Sequence, residues 1–190
     1  VNKQAFWQLI EQSRQIESQE EQVEWLRDTL STKSVDEVLA FEMTFGMIQN
    51  ESYQSSLWAA AYILMGGCSD DAFDYFCGWL ISQGEDIYNK VIANHEYLAE
   101  YITEENLDEE GYPQNEDIFT VASDAYTYKK TGDFEWDEDV FDEWLEKLDE
   151  KGVEERPDIE FDWDEDDEAE LKKRYPKLWA RFGEEPLPLE

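Results

Sequence analysis

LWAAAYILMGGCSDDAFDYFCGWLISQG, Leu57 to Gly84, is the stretch whose reading decides the fold. Leu57, Ala60, Ala61 and Leu64 recur at helical spacing, and Trp58, Tyr62 and Met65 form a second face. A helix that is apolar on both faces is normally enclosed by other elements. Gly66 and Gly67 then close it, because glycine enters the left-handed conformation without a Cβ clash. Ser69 caps the next helix, and Asp70 and Asp71 sit in its first turn, where carboxylates favour the positive end of the helix dipole. Phe73, Phe76, Cys77 and Leu80 occupy one stripe of this helix, Tyr75 and Trp79 a second, and Gly84 ends it. The stretch therefore predicts a buried helical hairpin.

Working outward, the flanks continue the helical pattern. Asn2 caps a first helix running to about residue 17, with Phe6, Leu9 and Ile10 at helical spacing. Ser18 to Glu21 and Ser34 to Glu37 are two S-x-x-E capping boxes, each opening a further helix. After Gly84 a helix carries Ile87, Tyr88, Val91 and Ile92, and residues 94–113 read as a loop with one helical turn near Tyr97 to Tyr101. Ile118, Val121, Ala122 and Ala125 mark another helix that ends at Gly132. Asp137 to Glu150 reads as an amphipathic helix with Val140, Phe141, Trp144, Leu145 and Leu148 inward. Gly152 and Pro157 bracket a linker. Asp158 to Asp164 alternates acid and apolar, the pattern of a strand or an extended segment. The basic, aromatic LKKRYPKLWARF, Leu171 to Phe182, is placed to fold back onto those acids. The expected fold is all-α, a compact multi-helix bundle with a central buried hairpin and an acidic C-terminal appendage. The expected division is a helical core over 1–132 and the acidic helix, extended segment and tail over 133–190, packed on that core.

The 190 residues suit one domain, or one with a smaller appendage, and 15% aromatic residues are enough to build a core. The formal charge is −34, with −12 in residues 1–100 and −22 in residues 101–190. Such a field repels nucleic acid and anionic membrane surfaces and steers basic partners inward. Adaptation to high salt would spread acids evenly, and the bias toward the C-terminal half runs against it. No apolar run approaches the ~20 residues that span a bilayer, and the N-terminal residues carry no signal pattern. Two cysteines, Cys68 and Cys77, without CxxC spacing point to reduced thiols and a cytoplasmic protein.

Three motifs give the chain a likeness to a family. AFWQLIEQSR (Ala5 to Arg14), the central stretch around Gly-Gly-Cys-Ser-Asp-Asp, and YPKLWARF (Tyr175 to Phe182) resemble the bacterial family known as domain of unknown function 4240. The resemblance implies a compact helical bacterial domain. It supplies no activity, cofactor or catalytic residue, and a basic residue often stands in that family where this chain has Cys77.

The candidate chemistry is sparse. Cys68 lies just before a helix N-terminus, which lowers a thiol pKa, but Asp70 and Asp71 oppose this, and His95, the only histidine, is distant in sequence. Asp70, Asp71 and Asp74 form one candidate binding group, able to take a cation or a basic side chain. A second runs through Asp158, Glu160, Asp162, Asp164, Asp166 and Asp167. Asp162, Asp164 and Asp166 have the 1-3-5 spacing of a calcium loop, but Asp167 stands where such a loop needs Gly and Lys173 where it needs Glu. No phosphate-binding loop, zinc spacing or triad motif occurs, so no cofactor is expected. The functional expectation is an interaction module whose acidic face binds a basic protein, as an inhibitor or immunity-like factor imitating nucleic acid. The alternative is an enzyme or cation-binding protein with a pocket at the Cys68–Asp74 corner.

Overall fold

Local capping chemistry sets most helix starts. In the computed structural model, which describes residues 2–188, Asn2 accepts from the Ala5 amide to open α1 (Lys3–Ser13). Ser18 does the same for α2 (Gln19–Ser31). Ser34 and Glu37 satisfy each other's amides reciprocally, at 3.2 and 2.9 Å, at the start of α3 (Val35–Ser52). The remaining helices are α4 (Ser55–Met65), α5 (Asp70–Ser82), α6 (Glu85–Ala93), α7 (Leu98–Tyr101), α8 (Val121–Thr131), α9 (Glu138–Lys151), α10 (Glu168–Arg174) and α11 (Pro176–Leu178). Short 3-10 turns precede α7 and α8, and a π-helical turn follows α11. The fold is all-α. The first helix stops at Ser13 rather than near residue 17, where the chain turns with the Gln15 amide on the Gln12 carbonyl and the Ile16 amide on the Ser13 carbonyl.

The alternating segment 158–164 is extended but pairs with nothing as a strand, and among the described residues there is no strand at all. Its alternation has another cause. Phe161 meets the Trp58 ring edge-on at 4.9 Å, and Trp163 lies 5.5 Å from Tyr62, so these two apolar positions lie along α4 while Asp158, Glu160 and Asp164 face water. Among the described residues no helix is long and apolar enough to cross a membrane.

Residue contacts divide the chain into two interleaved units, 1–49 with 117–155, and 50–116 with 156–190. The charge-based division at 132/133 is sequential, and the two partitions assign the acidic C-terminal half differently: by contacts, α9 belongs with α1, α2 and α8, and the acidic segment with α4. In the first unit Phe6 packs on Phe41 at 4.9 Å, Phe45 on Phe119 at 5.2 Å and Tyr126 on Trp144 at 5.2 Å. These rings, with Ile10, Leu26 and Leu30, make its core.

The second unit is built on the α4–α5 hairpin. Gly66 caps α4 with φ +66°, and the Leu187 amide donates to the Leu64 carbonyl beside it. A Cβ on Gly66 would meet Pro186 at 2.7 Å, so glycine is needed there both for conformation and for space. Along α5, Phe73, Phe76 and Trp79 stand three residues apart and stack nearly parallel, and Trp58 of α4 extends the column at 4.6 Å and 17° from Phe73. Both column ends are anchored: the Trp58 indole N–H donates to the Cys68 carbonyl and that of Trp79 to the Asn106 carbonyl. Trp79 thus belongs to the row of Phe73 and Phe76, not to a separate stripe.

Candidate functional site

At the corner, Ser69 accepts from the Ala72 amide, as a cap should, and Asp70 and Asp71 point into solvent on the first turn of α5. Asp74, one turn on, is half-buried and takes a guanidinium N–H of Arg156 at 2.8 Å. That guanidinium also lies 4.5 Å over the Tyr53 ring. Burial raises the Asp74 pKa and the Arg156 charge opposes the rise. Asp74 therefore holds a basic side chain, and the side chain is the protein's own.

Neither thiol is activated. Burial pushes both Cys68 and Cys77 up to about 12, with the nearby Asp70 and Asp74 charges adding to the effect at Cys68. Since the thiolate is the nucleophile, both should react with iodoacetamide on the order of 100-fold more slowly than free cysteine at pH 8. Mass-spectrometric labelling rates read this directly, and labelling of either at the free-cysteine rate would contradict the assignment. His95 pairs with neither thiol. Its Nδ1 lies 2.7 Å from the Val91 carbonyl, which can only accept, so Nδ1 carries the proton. Nε2 then accepts from the Ser56 hydroxyl at 2.9 Å. Burial lowers the His95 pKa, which keeps the ring neutral in this arrangement. The pair joins α4 to the 3-10 turn between α6 and α7 across 39 residues of sequence, and no local sequence signal announces it.

The second acidic group is divided in its use. Asp162 takes both terminal nitrogens of Arg174 at 3.2 Å and the Ser55 hydroxyl at 2.9 Å, bonds that hold its carboxyl below the usual range. Asp164 accepts from the Asp166 amide and closes a turn, and Asp167 caps α10 through the Glu170 amide. Asp158, Glu160 and Asp166 project into solvent. The sequence thus places all six together, but three of them serve the local fold. Among the described residues no group of three or more His, Cys, Asp or Glu is arranged to hold a metal ion. The basic tail does return to the acids at Arg174, and elsewhere it docks by other means. Glu96 accepts from the Lys177 and Leu178 amides, Arg181 donates to the carbonyls of Ala99 and Ile102, and the Tyr175 hydroxyl donates to the Ser56 carbonyl.

A further acidic surface, unengaged by internal cations, is on α9. Glu138, Asp139, Asp142, Glu146, Asp149 and Glu150 are exposed and their carboxylates make no ion pair among the described residues. Glu143 is the exception, bonded to the Tyr126 hydroxyl at 2.5 Å and to Lys130 at 3.1 Å. Over the ~18 Å from residue 138 to 150, at ~1.5 Å per residue, these six give one charge per about 3 Å, close to the ~3.4 Å phosphate spacing of one DNA strand.

Comparison with known proteins gives one relationship. The family described as protein of unknown function, DUF4240, matches residues 1–128, from the first helix into α8. The α9 face, the acidic segment and the YPKLWARF motif lie outside the matched residues. No curated protein matches the chain, and no solved structure does. With about two thirds of its length matched, the chain belongs to the DUF4240 family.

Proposed function

We infer that the protein is a bacterial, cytoplasmic interaction module that binds a basic protein and covers the surface with which that partner meets nucleic acid. The observation that supports this reading is the α9 face, six exposed carboxylates with no internal cation, at a spacing close to that of a phosphate backbone. Clusters of like charge are unfavourable in isolation, and an oppositely charged surface relieves the repulsion and is attracted over a Debye length of ~10 Å at 0.1 M salt. The segment 158–167 carries solvent-facing charge of its own through Asp158, Glu160 and Asp166. Asp162, Asp164 and Asp167 of that segment are committed to Arg174, a turn and a helix cap.

The experiment is capture from a host lysate at about 50 and about 300 mM salt, with a variant in which the six α9 carboxylates are changed to their amides. Basic proteins retained by the native chain at the lower salt, released at the higher, and lost with the amide variant are the expected result. Equal capture by the two chains would remove α9 from the account, and no basic protein at either salt would remove the function.

A further inference from the structure

The same helix carries an apolar ridge beside its acids. Trp136 is 68% exposed and Leu145 is 48% exposed, although the sequence reads Leu145 as inward. Only Trp144 of α9 is fully buried, and Leu145 has rotated to the edge of the apolar arc, where Asp142 and Asp149 are its neighbours at i−3 and i+4. Trp136 precedes the Asp137 cap and lies 6.2 Å from Phe141, four positions into the helix. That is the hydrophobic staple geometry. A staple explains why a large apolar residue stands there, yet two thirds of the indole remains uncovered. Trp136 meets Phe141, Leu145 stands one turn beyond Phe141 on the same side of α9, and the three make an apolar ridge with Asp142 and Asp149 beside Leu145.

The neighbouring ring shows how this unit satisfies such a surface. Phe134, two residues upstream, stacks on Tyr128 at 4.6 Å and is covered by the Arg27 guanidinium at 3.9 Å. Trp136 has no such cation over it among the described residues, while Glu135, Asp137 and Glu138 adjoin it in sequence. Indole is the strongest cation–π acceptor of the side chains, and exposed Trp at the centre of a charged rim is the composition of an interface anchor.

We propose that the Trp136–Phe141–Leu145 ridge is the docking site for an amphipathic, cationic helix of the basic partner. The occupant lies along α9 with its apolar residues on the ridge and its Lys and Arg on the Asp142–Asp149 side, one of them over the Trp136 indole. The charge complementarity requires the basic residues, and the uncovered apolar ridge requires that they be patterned with helical period. This rests on the reading of the protein as a binder of basic partners, and adds where and in what conformation the partner is held.

Three fluorescein-labelled peptides of about 18 residues, about five helical turns, test it by polarisation: a Lys/Leu peptide patterned as an amphipathic helix, the same composition scrambled, and oligolysine. The patterned peptide should bind at least 10-fold more tightly than the scrambled one at about 150 mM salt, where unpatterned charge is screened beyond ~8 Å. Trp136→Ala should remove most of that advantage. Leu145→Gln, which leaves the staple and the helix intact, should reduce it 3- to 10-fold. If the patterned and scrambled peptides bind alike, or if both variants bind the patterned peptide as the native chain does, the ridge is not a docking site, while acidic recognition stands. If no peptide binds even at about 50 mM salt, recognition of basic partners falls, and the ridge proposal with it.

Discussion

Phe73→Ala is expected to lower stability by about 3–5 kcal/mol, the range for truncating a fully buried aromatic ring. Phe73 is wholly enclosed and stands in the middle of the ring column, between Trp58 at 4.6 Å and Phe76 at 6.3 Å, with Tyr53 5.6 Å away. Removing it leaves a void bounded by rigid rings, which cannot collapse as aliphatic chains do, so the upper half of the range applies. The column ends are held by indole N–H bonds to Cys68 and Asn106 carbonyls, which keeps Trp58 and Trp79 from closing on the gap. Urea unfolding and the near-ultraviolet circular dichroism of the stacked rings measure both effects. Phe73→Leu, which fills most of the volume, should lose no more than about 1.5 kcal/mol. A loss below about 1 kcal/mol in the Ala variant would show that the hairpin is not the support of its unit. The substitution also bears on the corner chemistry: a structural corner responds in stability to Phe73 and hardly at all to Cys68→Ala.

Much of the fold could be read from the chain because its signals are local. The Ser34–Glu37 capping box, the Ser18 and Ser69 caps and the Gly66 and Gly132 stops are satisfied within four residues of sequence, and each appears where expected, while at Ser18–Glu21 only the serine half of the expected box forms. What the sequence could not supply were pairings set by tertiary approach. Asp158 to Asp164 has the period of a strand, but its Phe161 and Trp163 face one helix, and a period of two reports only that alternate residues are covered. Asp70, Asp71 and Asp74 form one group in sequence, yet Arg156, 82 residues on, occupies Asp74 alone. The acidic run shows how much charge there is, not which charges are spent: Asp162 and Arg174 are only 12 apart, but Ser55 completes the clamp from 107 residues away. The exposed Leu145 was hidden by a wide apolar arc, since a hydrophobic pattern cannot say which of five apolar residues the neighbouring helix fails to reach.

Glu42→Gln should stabilise the protein above neutral pH and remove a distinct part of its pH dependence. Glu42 lies on α3 in one row with the buried Val38 and Phe45, and its carboxylate has no hydrogen-bond or ion-pair partner among the described residues. Burial raises its pKa from 4.5 to about 7. The folded state therefore holds a proton that the unfolded chain has released between pH 4.5 and 7, and stability from this group rises as pH falls through that window. Above pH 7 the folded protein carries a half-buried carboxylate with no cation beside it among the described residues; the full shift corresponds to about 3.5 kcal/mol at ~1.4 kcal/mol per pH unit, and partial exposure to water reduces the deficit to about 2–3 kcal/mol. An amide in its place cannot ionise, so the gain from Gln should be about 2 kcal/mol at pH 8 and near zero at pH 4.5. The difference between native and variant unfolding free energies is the proper readout, because the other 48 carboxylates of the acidic chain titrate in both proteins. His95 is common to both as well and has the opposite sign: its lowered pKa gives stability that is present above the unfolded value of 6.5 and is lost as pH falls through the folded value. Freed from the Glu42 contribution, the variant should show that histidine loss more plainly on acidification below pH 6.5. A native-minus-variant difference that stays flat from pH 4.5 to 8 would mean that the Glu42 carboxylate remains hydrated in the folded protein.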